Sequence, residues 1–470
     1  MRGTAPMMHA RTARGWLAVS LLVILPALTL RGAFAGYFLL DDFGMLSIVR
    51  LVGNPLHVFV ENHIPGGFYY RPLGMLWWWL SERLFGSIAA WHYLLNALAQ
   101  GAVTLALWRW LTRASGFPRL AFGAAVVFAV HPVAIGTTLW LSDRFDLLAA
   151  LFGLLGLHAA WRFAGTGHGR DWAGTLVWIG LALLSKEIAL VMLAAVFAAW
   201  LFADAGIAMR RRALALASLV VLAALYLFVR WLVIVDAGAS YLLAQMPFVD
   251  LLRTGLAHGV RAAIDYLGHW PRLTGWKAIL AFAGVALLVP ALVLRARASW
   301  SRARWRLLMA GAVLAFAPLL LQVPLLALQD LTLPASGNDI LLAFHARHFY
   351  VCCIGLLAIG VALLSAPATP RDAVGRLAAA ATALLVVVGF SASQHMAKLY
   401  RDATLGQRAF VESAHAALAT IALPRHGCRI FLLDTGSWPF AWVSDEAIKA
   451  TATDLDRLAG CLIQTEHTPW

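Results

Sequence analysis

The chain has 470 residues, of which 61% are hydrophobic and only 13% are charged. Soluble globular proteins carry about 25% charged residues, so this composition excludes an ordinary soluble domain and predicts a polytopic membrane protein. The formal net charge of +14 does not indicate a nucleic-acid partner, because the basic residues lie in short clusters between apolar runs, the pattern that orients membrane helices. Four cysteines in a chain of this length do not make a disulfide scaffold.

Apolar runs of spanning length recur along the chain. We predict eleven crossings, near residues 16–36, 89–109, 119–136, 145–163, 172–184, 188–203, 213–235, 276–294, 307–328, 349–366 and 375–394. When every arginine cluster is placed in the cytoplasm, the amino terminus lies inside and the carboxyl terminus outside. The sequence therefore predicts an all-α, multi-pass protein of the inner or plasma membrane. Its transmembrane domain is expected over residues 1–394, followed by a small extracytoplasmic tail over 395–470.

The start of the chain contains Ala33-Phe34-Ala35, which resembles a signal-cleavage site. We expect this first crossing to be retained as an anchor, because Arg31 interrupts the end of the run and more crossings follow.

The run 171–203 is flanked on both sides by basic residues that belong inside, so we expect it to form a hairpin with its tip at Ser185-Lys186-Glu187. Arms of 13 and 16 residues (172–184 and 188–203) reach only about 20–24 Å at 1.5 Å per residue. The hydrocarbon core is about 30 Å thick, so the tip is expected below the outer surface. Charged, irregular backbone at that depth requires a protein interior or a water-filled cavity.

Three outer segments are expected at 37–88, 235–275 and 329–348, besides the tail. In the first, Pro72 stands at the first turn of an expected helix, and the tryptophans at 77–79 favour the membrane interface. We therefore predict an interfacial helix in the first extracytoplasmic loop. In the tail, residues 429–433 predict a short strand.

Isolated charged and polar residues gather on the expected outer side, where orientation rules disfavour Arg and Lys. They are Asp41, Asp42, Arg71, His131, Asp143, Arg144, Asp146, Lys186, Glu187 and Arg347. Charges near hydrocarbon are costly and usually functional, so we interpret them as a site for an anionic substrate with a general base. Internal ion pairs that hold helices together are the alternative interpretation.

Several stretches carry a resemblance to a known family. They are Asp41-Asp42, YRPL at 70–73, WHYLLNAL at 91–98, VHP at 130–132, WLSDRFDLLAALF at 140–152, LLSKE at 183–187 and RHFYVCCIG at 347–355. In order and spacing they resemble the GT-C superfamily of polyprenyl-phosphate-sugar-dependent glycosyltransferases. The similarity is strongest to the membrane part of the animal transmembrane and tetratricopeptide-repeat O-mannosyltransferases and their bacterial relatives.

The chain departs from this family at several positions. Ala134-Ile135-Gly136 replaces the family's His-Thr-Glu, which removes a carboxylate. Ala346-Arg347 and Cys352-Cys353 replace the family's Glu-Arg and Pro-Ser, and no tetratricopeptide repeats follow. We therefore do not expect the acceptor to be the one that the animal enzymes use.

The resemblance implies inverting transfer of a monosaccharide, mannose in the animal family, from a polyprenyl-phosphate carrier to a hydroxyl of a protein or envelope glycan, next to membrane lipid. By resemblance, an aspartate of the first loop is the base, either Asp41 or Asp42, which in a helix point about 100° apart. Cations that meet the departing phosphate are expected at Arg71, Lys186 and Arg347. Other expected site residues are Tyr70, His131, Arg144, Asp146 and Glu187.

Two points stay open from the sequence. Asp143 and Asp146 share a helix face and could bind a divalent cation, or they could form an ion-pair cluster with Arg144. No other cofactor is expected. The alternative functions are a transporter or flippase of lipid-linked sugars, which also needs charges in the membrane, and a non-catalytic envelope assembly protein, which would not need Asp41 and Asp42.

Overall fold

The computed structural model describes residues 5–62, 69–201, 208–234, 248–268, 274–298, 300–323, 345–366, 372–420, 428–434 and 461–467. Most of these residues are helical, which confirms the predicted fold class. Of the predicted outer segments 235–275 and 329–348, the structure describes residues 248–268, 274–275 and 345–348, and of the tail it describes 395–420, 428–434 and 461–467; the rest of these segments lies outside the described residues.

The described residues form fifteen α-helices, four short 3₁₀ turns and two strands. The helices are α1 (Ala5–Leu30), α2 (Asp41–Leu51), α3 (Pro72–Phe85), α4 (Ala89–Ser115), α5 (Pro118–Val130), α6 (Pro132–Leu139), α7 (Arg144–Thr166), α8 (Gly169–Ser185), α9 (Ala189–Leu201), α10 (Met209–Ile234), α11 (Phe248–Gly268), α12 (Trp276–Ala296), α13 (Arg302–Leu321), α14 (Tyr350–Leu364) and α15 (Ala373–Ala419). The 3₁₀ turns are Arg31–Ala35, Pro55–Phe59, Leu141–Asp143 and Ala346–Phe349, and the strands are β1 (Cys428–Asp434) and β2 (Cys461–His467).

Every predicted crossing falls on one of these helices or, for 119–136, on a bent pair. Seven described helices are long and apolar enough to cross a membrane, or eight if the bent pair α5–α6 counts as one span. Three further predicted crossings correspond to α4, α8 and α9. The first carries buried His92, Asn96 and Gln100, and the other two have 17 and 13 residues. The polytopic architecture is confirmed, and the number of crossings stays a prediction.

The third predicted crossing is not one straight helix. It breaks at His131-Pro132, where α5 and α6 meet at an angle of 48°. The residue before a proline avoids the α region, and His131 accordingly adopts φ −69° and ψ 134°. Its Nδ1 accepts a hydrogen bond from the backbone N–H of Val133 at 3.2 Å, so the imidazole caps the first turn of α6.

The helices pack closely where small residues face a neighbour. A Cβ at Gly101 of α4 would lie 2.7 Å from the carbonyl oxygen of Val23 in α1, so any larger residue would push these helices apart. Gly116 and Gly167 end α4 and α7 with φ of +75° and +66°, a conformation that glycine adopts without strain.

One residue of the basic clusters holds helix ends together. Arg304, at the start of α13, is buried, and its Nε donates to the carbonyl of Ala362 at 3.1 Å. Its Nη2 donates to the carbonyls of Leu363 and Arg295. The guanidinium therefore satisfies the open carbonyls at the ends of α14 and α12, in addition to any effect on orientation.

The predicted boundary between membrane domain and tail, at residues 394/395, falls inside a helix. The 47 residues of α15 run from Ala373 to Ala419 without a break. Beyond it, β1 confirms the predicted strand at 429–433 and pairs in parallel with β2, with Cys428 opposite Cys461.

The first outer segment contains the predicted helix after Pro72 as α3, with Trp78 and Met75 turned into the core. It lies against α2. Arg50 near the end of α2 donates to Glu82 of α3 at 2.9 Å and to Ser87 at 2.8 Å. These bonds fix α2, which carries the two aspartates at its start, to α3 and the residues that follow it.

Candidate active site

The predicted site residues come from several element ends that meet at one end of the helix bundle. The start of α2, the start of α3, the turn before α7 with its first residues, the tip between α8 and α9 and the turn before α14 all contribute. Arg347 stands at the start of α14, whereas Arg304 binds its other end. The site residues and Arg304 therefore lie at opposite ends of α14.

Each of the three predicted phosphate-binding cations is paired with a carboxylate from another element. Arg347 Nη1 lies 3.0 Å from Asp143 Oδ1. Lys186 Nζ lies 2.5 Å from Asp146 Oδ2. Arg71 binds Glu187 through two nitrogens, with Nε 3.0 Å from Oε2 and Nη2 on Oε1. The internal ion pairs that the sequence left as an alternative are therefore present.

These pairs do not use all the donors of the cations. A guanidinium carries five N–H donors and an ammonium three. Among the described residues, Arg71 Nη1 and Arg347 Nη2 have no hydrogen-bond partner, and Lys186 donates one bond. The carboxylates thus fix the direction of each cation while leaving N–H groups for an anionic ligand.

Arg347 is held from three sides. Besides Asp143, its guanidinium lies over the indole of Trp140, 4.1 Å from the ring centroid. Its Nε donates to His348 Nε2 at 3.4 Å, and His348 is bound in turn to Gln322 of the segment after α13 at 2.6 Å. A cation with this support has little rotamer freedom to lose when it meets a ligand.

The tip of the α8–α9 hairpin joins two helices through neighbouring residues of opposite charge. Lys186 binds Asp146 on α7, and Glu187 binds Arg71 at the start of α3. Burial raises the pKa of Glu187, but the charge and hydrogen bonds of Arg71 outweigh it and hold the pKa at about 2. The carboxylate of Glu187 is therefore ionised at neutral pH.

The two adjacent aspartates have different surroundings. Asp42 is fully buried, and its Oδ1 accepts from the backbone N–H of Ser142 at 2.9 Å and from its hydroxyl at 2.7 Å. Its Oδ2 accepts from the backbone N–H of Leu39 at 3.1 Å. Burial raises the pKa of Asp42 to about 7, an effect that these hydrogen bonds and the charge of Arg144 partly offset. The carboxylate oxygens of Asp42 therefore already accept hydrogen bonds from the protein itself.

Asp41 is exposed, and its carboxylate makes no hydrogen bond with any residue that the structure describes. The surrounding protein limits its hydration and raises its pKa, and the nearby charge of Arg347 lowers it in part. The more accessible carboxylate of the pair is therefore also the one in the electric field of a predicted phosphate-binding cation.

Three other predicted site residues are buried with partners of their own. Tyr70 donates its hydroxyl to the carbonyl of Phe59 at 2.9 Å. Arg144 is 1% exposed, binds Ser81 at 2.8 Å and stacks on Trp78. His131 caps α6, as described above. These contacts account for each residue as part of the protein scaffold.

The predicted metal ligands Asp143 and Asp146 are both buried, and each bears a salt bridge. Asp143 Oδ2 is buried and has no hydrogen-bond partner in the part of the chain that the structure describes. Among these residues, no three His, Cys, Asp or Glu side chains come together.

Sequence reasoning missed four residues that shape this site. Trp140 and Ser142 lie within the 140–152 stretch that carries the resemblance, but neither is charged. His348 follows Arg347 directly, and Gln322 lies within a predicted crossing. A polar residue beside a predicted charge was the available signal for Ser142 and His348.

Comparisons with known proteins show a similarity at the level of the fold. No protein-family profile matches the chain, and no curated protein matches it significantly. Among solved structures, the chain is similar to ArnT from Cupriavidus metallidurans, crystallised with bound undecaprenyl phosphate. The two are 14% identical, with a TM-score of 0.53, over 96% of this chain and 90% of that one. At this identity the similarity establishes the fold alone: the chain is a polytopic membrane protein with a GT-C-like fold.

Proposed function

We propose that the chain is a glycosyltransferase that moves a monosaccharide from a polyprenyl-phosphate carrier to an acceptor hydroxyl outside the cytoplasm. Asp41 is the general base, and Arg71, Lys186 and Arg347 meet the carrier phosphate. The observation that carries this proposal is the position of Asp41, an accessible carboxylate in the field of Arg347.

The chemistry requires a carboxylate that can accept a proton from the attacking hydroxyl. Asp42 already accepts three hydrogen bonds from the protein, whereas Asp41 accepts none from the described residues. A raised pKa makes a carboxylate a stronger base near neutral pH, and a positioned base contributes about 10²–10⁴-fold to a rate. These features favour Asp41 over Asp42.

The departing phosphate needs cations whose N–H groups point at it. The free donors of Arg71, Lys186 and Arg347 supply such groups, and the paired carboxylates keep them oriented. The related fold of ArnT, which was crystallised with undecaprenyl phosphate, supports a polyprenyl-phosphate carrier. A single displacement with one base inverts the anomeric centre.

The remaining parts of the proposal follow the motif resemblance and the charge distribution. The site faces the outer side of the inner or plasma membrane, with the amino terminus in the cytoplasm and the carboxyl terminus outside. The acceptor is a protein or envelope glycan, and mannose is the first sugar to test.

The test is sugar transfer by purified protein in lipid nanodiscs. A panel of radiolabelled polyprenyl-phosphate monosaccharides, beginning with mannose, is offered with extracted envelope material as acceptor. Asp41→Asn keeps the volume but not the basicity, so transfer should fall by at least about 100-fold. Asp402→Asn, which changes an exposed aspartate on α15, is the matched control and should transfer normally.

Full transfer by the Asp41→Asn protein would overturn the assignment of the base. If the purified protein transfers no sugar but moves the lipid-linked sugar across a proteoliposome membrane, the flippase alternative is correct instead.

A further inference from the structure

We propose that Ser142 is a positioning residue: through Asp42 it holds the turn at Leu39–Asp41 in the conformation that presents Asp41 to the site. The hydrogen bonds that Asp42 accepts from Ser142 and Leu39 do not depend on the proposed function. The catalytic consequence rests on the proposed function, with Asp41 as base.

The network begins at Asp42, which is fully buried and bridges two separate parts of the chain. One carboxylate oxygen accepts both donors of Ser142, and the other accepts the N–H of Leu39. Hydrogen bonds to a charged acceptor are stronger than neutral ones. Asp42 therefore ties the turn before α2 to the turn before α7.

The turn that Asp42 closes is strained. Leu40, between Leu39 and Asp41, has φ +53° and ψ −122°, and among the described residues it is the one non-glycine residue with positive φ. Such a conformation is unfavourable for a residue with a Cβ and persists only where its surroundings enforce it. The bond from Leu39 to Asp42 spans this residue and supplies that enforcement.

The chain just before the strained residue is also fixed. Tyr37 donates its backbone N–H to Thr404 of α15 at 3.0 Å, and its carbonyl accepts from the hydroxyl of Tyr93 of α4 at 2.8 Å. The segment is therefore anchored at Tyr37 and again at Asp42. Asp41 is one of the four residues between these anchors, so its direction depends on the conformation of this short segment.

The turn that holds Asp42 also holds the cation. Trp140 lies under Arg347, and Asp143 binds its guanidinium. Ser142 stands between these two contacts in the chain. One short segment, residues 140–143, thus fixes the base and the cation relative to each other, and Ser142 is its link to the base.

Loss of the Ser142 hydroxyl leaves Asp42 Oδ1 with only the backbone donor. The remaining bonds hold the strained turn less tightly, so Leu40 can relax and Asp41 leaves its working position. A displacement of about 1 Å can lower a rate about 100-fold.

The first experiment measures the bond network without using activity. Purified protein is treated with a water-soluble carbodiimide and an amine, and tandem mass spectrometry locates the modified carboxyl groups. In the wild type Asp41 should be modified and Asp42 protected; in Ser142→Ala the modification of Asp42 should be at least about tenfold faster. Thr137→Val is the matched control, because its buried hydroxyl bonds only the carbonyl of Val133. Equal protection of Asp42 in Ser142→Ala and the wild type would overturn the proposal.

The second experiment measures sugar transfer by the same variants. Ser142→Ala should lower kcat roughly 10–100-fold and leave the KM for the donor within about twofold, and Ser142→Thr, which keeps a hydroxyl, should recover most of the rate. A normal kcat with an exposed Asp42 would refute the positioning role. If the wild type transfers no sugar, the proposed function fails, while the labelling result still decides whether the network exists.

Discussion

The side chains of Arg71 and Glu187 meet through two pairs of atoms, although the residues lie 116 positions apart in the chain. The contact joins the start of α3 to the tip of the α8–α9 hairpin. Both side chains are largely shielded from solvent. Removing one member of such an ion pair destabilises the folded protein, because the other charge is then left shielded from water without its counter-charge.

The two members of this pair should differ in their effect on the donor. Arg71→Gln and Glu187→Gln should both lower the unfolding temperature, because each breaks the link between α3 and the hairpin. Arg71→Gln should also weaken binding of polyprenyl phosphate by about tenfold or more, since it removes a phosphate ligand. Glu187→Gln should weaken it less, since it removes only a group that orients Arg71. Thermal unfolding and a binding titration in the same detergent measure the two effects. Equal loss of donor affinity in both variants would contradict a direct role for Arg71.

Arg347 provides a test of geometry at constant charge. Arg347→Lys keeps the cation but loses the planar group that lies over Trp140 and binds Asp143 and His348. Donor affinity should fall by about 10–100-fold, close to the value for Arg347→Gln. Arg408→Gln, which removes an exposed arginine on α15, serves as the control. Wild-type affinity in the lysine variant would show that charge alone is sufficient there.

The activity should depend on pH in a defined direction. A general base works in its deprotonated form, so the rate should rise with pH through the pKa of Asp41. That pKa is raised above the ordinary value of 3.8 despite Arg347. The neighbouring carboxyl, Asp42, faces Arg144 and has a pKa of about 7, so its protonation weakens the same turn as pH falls. The acid limb of kcat should therefore lie above pH 4, and a limb at or below pH 4 would contradict the assignment.

Cys428 and Cys461 are predicted to form a disulfide, since the tail is expected on the oxidising side of the membrane. The register of β1 and β2 places their Cα atoms opposite each other. Adjacent strands lie about 4.8 Å apart, within the Cα separation of a disulfide. Closing this loop should stabilise the tail by about 3–4 kcal/mol in the chain-entropy model.

Mass spectrometry of unreduced, alkylated protein tests this bond. Cys352 and Cys353 are free and buried, so they should be alkylated only after unfolding and report on that step. Alkylation of both Cys428 and Cys461 without reduction would disprove the bond.

Apolar periodicity predicted where the helices lie but not where all of them end. The run 375–394 marks the apolar part of α15, whereas the helix continues through polar residues to Ala419. A hydropathy search finds apolar runs, so it does not show that a helix continues into polar residues. The break at His131-Pro132, in contrast, follows from local proline geometry.

The sequence predicted the charged members of the site more fully than their partners. Orientation rules single out cations on the expected outer side, and the structure pairs Arg71, Lys186 and Arg347 with one carboxylate each. Which carboxylate each one meets depends on distances between helices, which no local pattern contains. Asp42 accepts a hydrogen bond from Ser142, a neutral residue 100 positions away, and a search for charged residues does not find a neutral side chain.

The length of α15 has a mechanical consequence. At 1.5 Å per residue, 47 residues extend about 70 Å, more than twice the hydrocarbon thickness of about 30 Å. Thr404, in the second half of this helix, accepts the backbone N–H of Tyr37, only four positions before the exposed Asp41. We therefore expect α15, which is longer than the hydrocarbon core is thick, to set the position of Asp41 relative to the membrane surface.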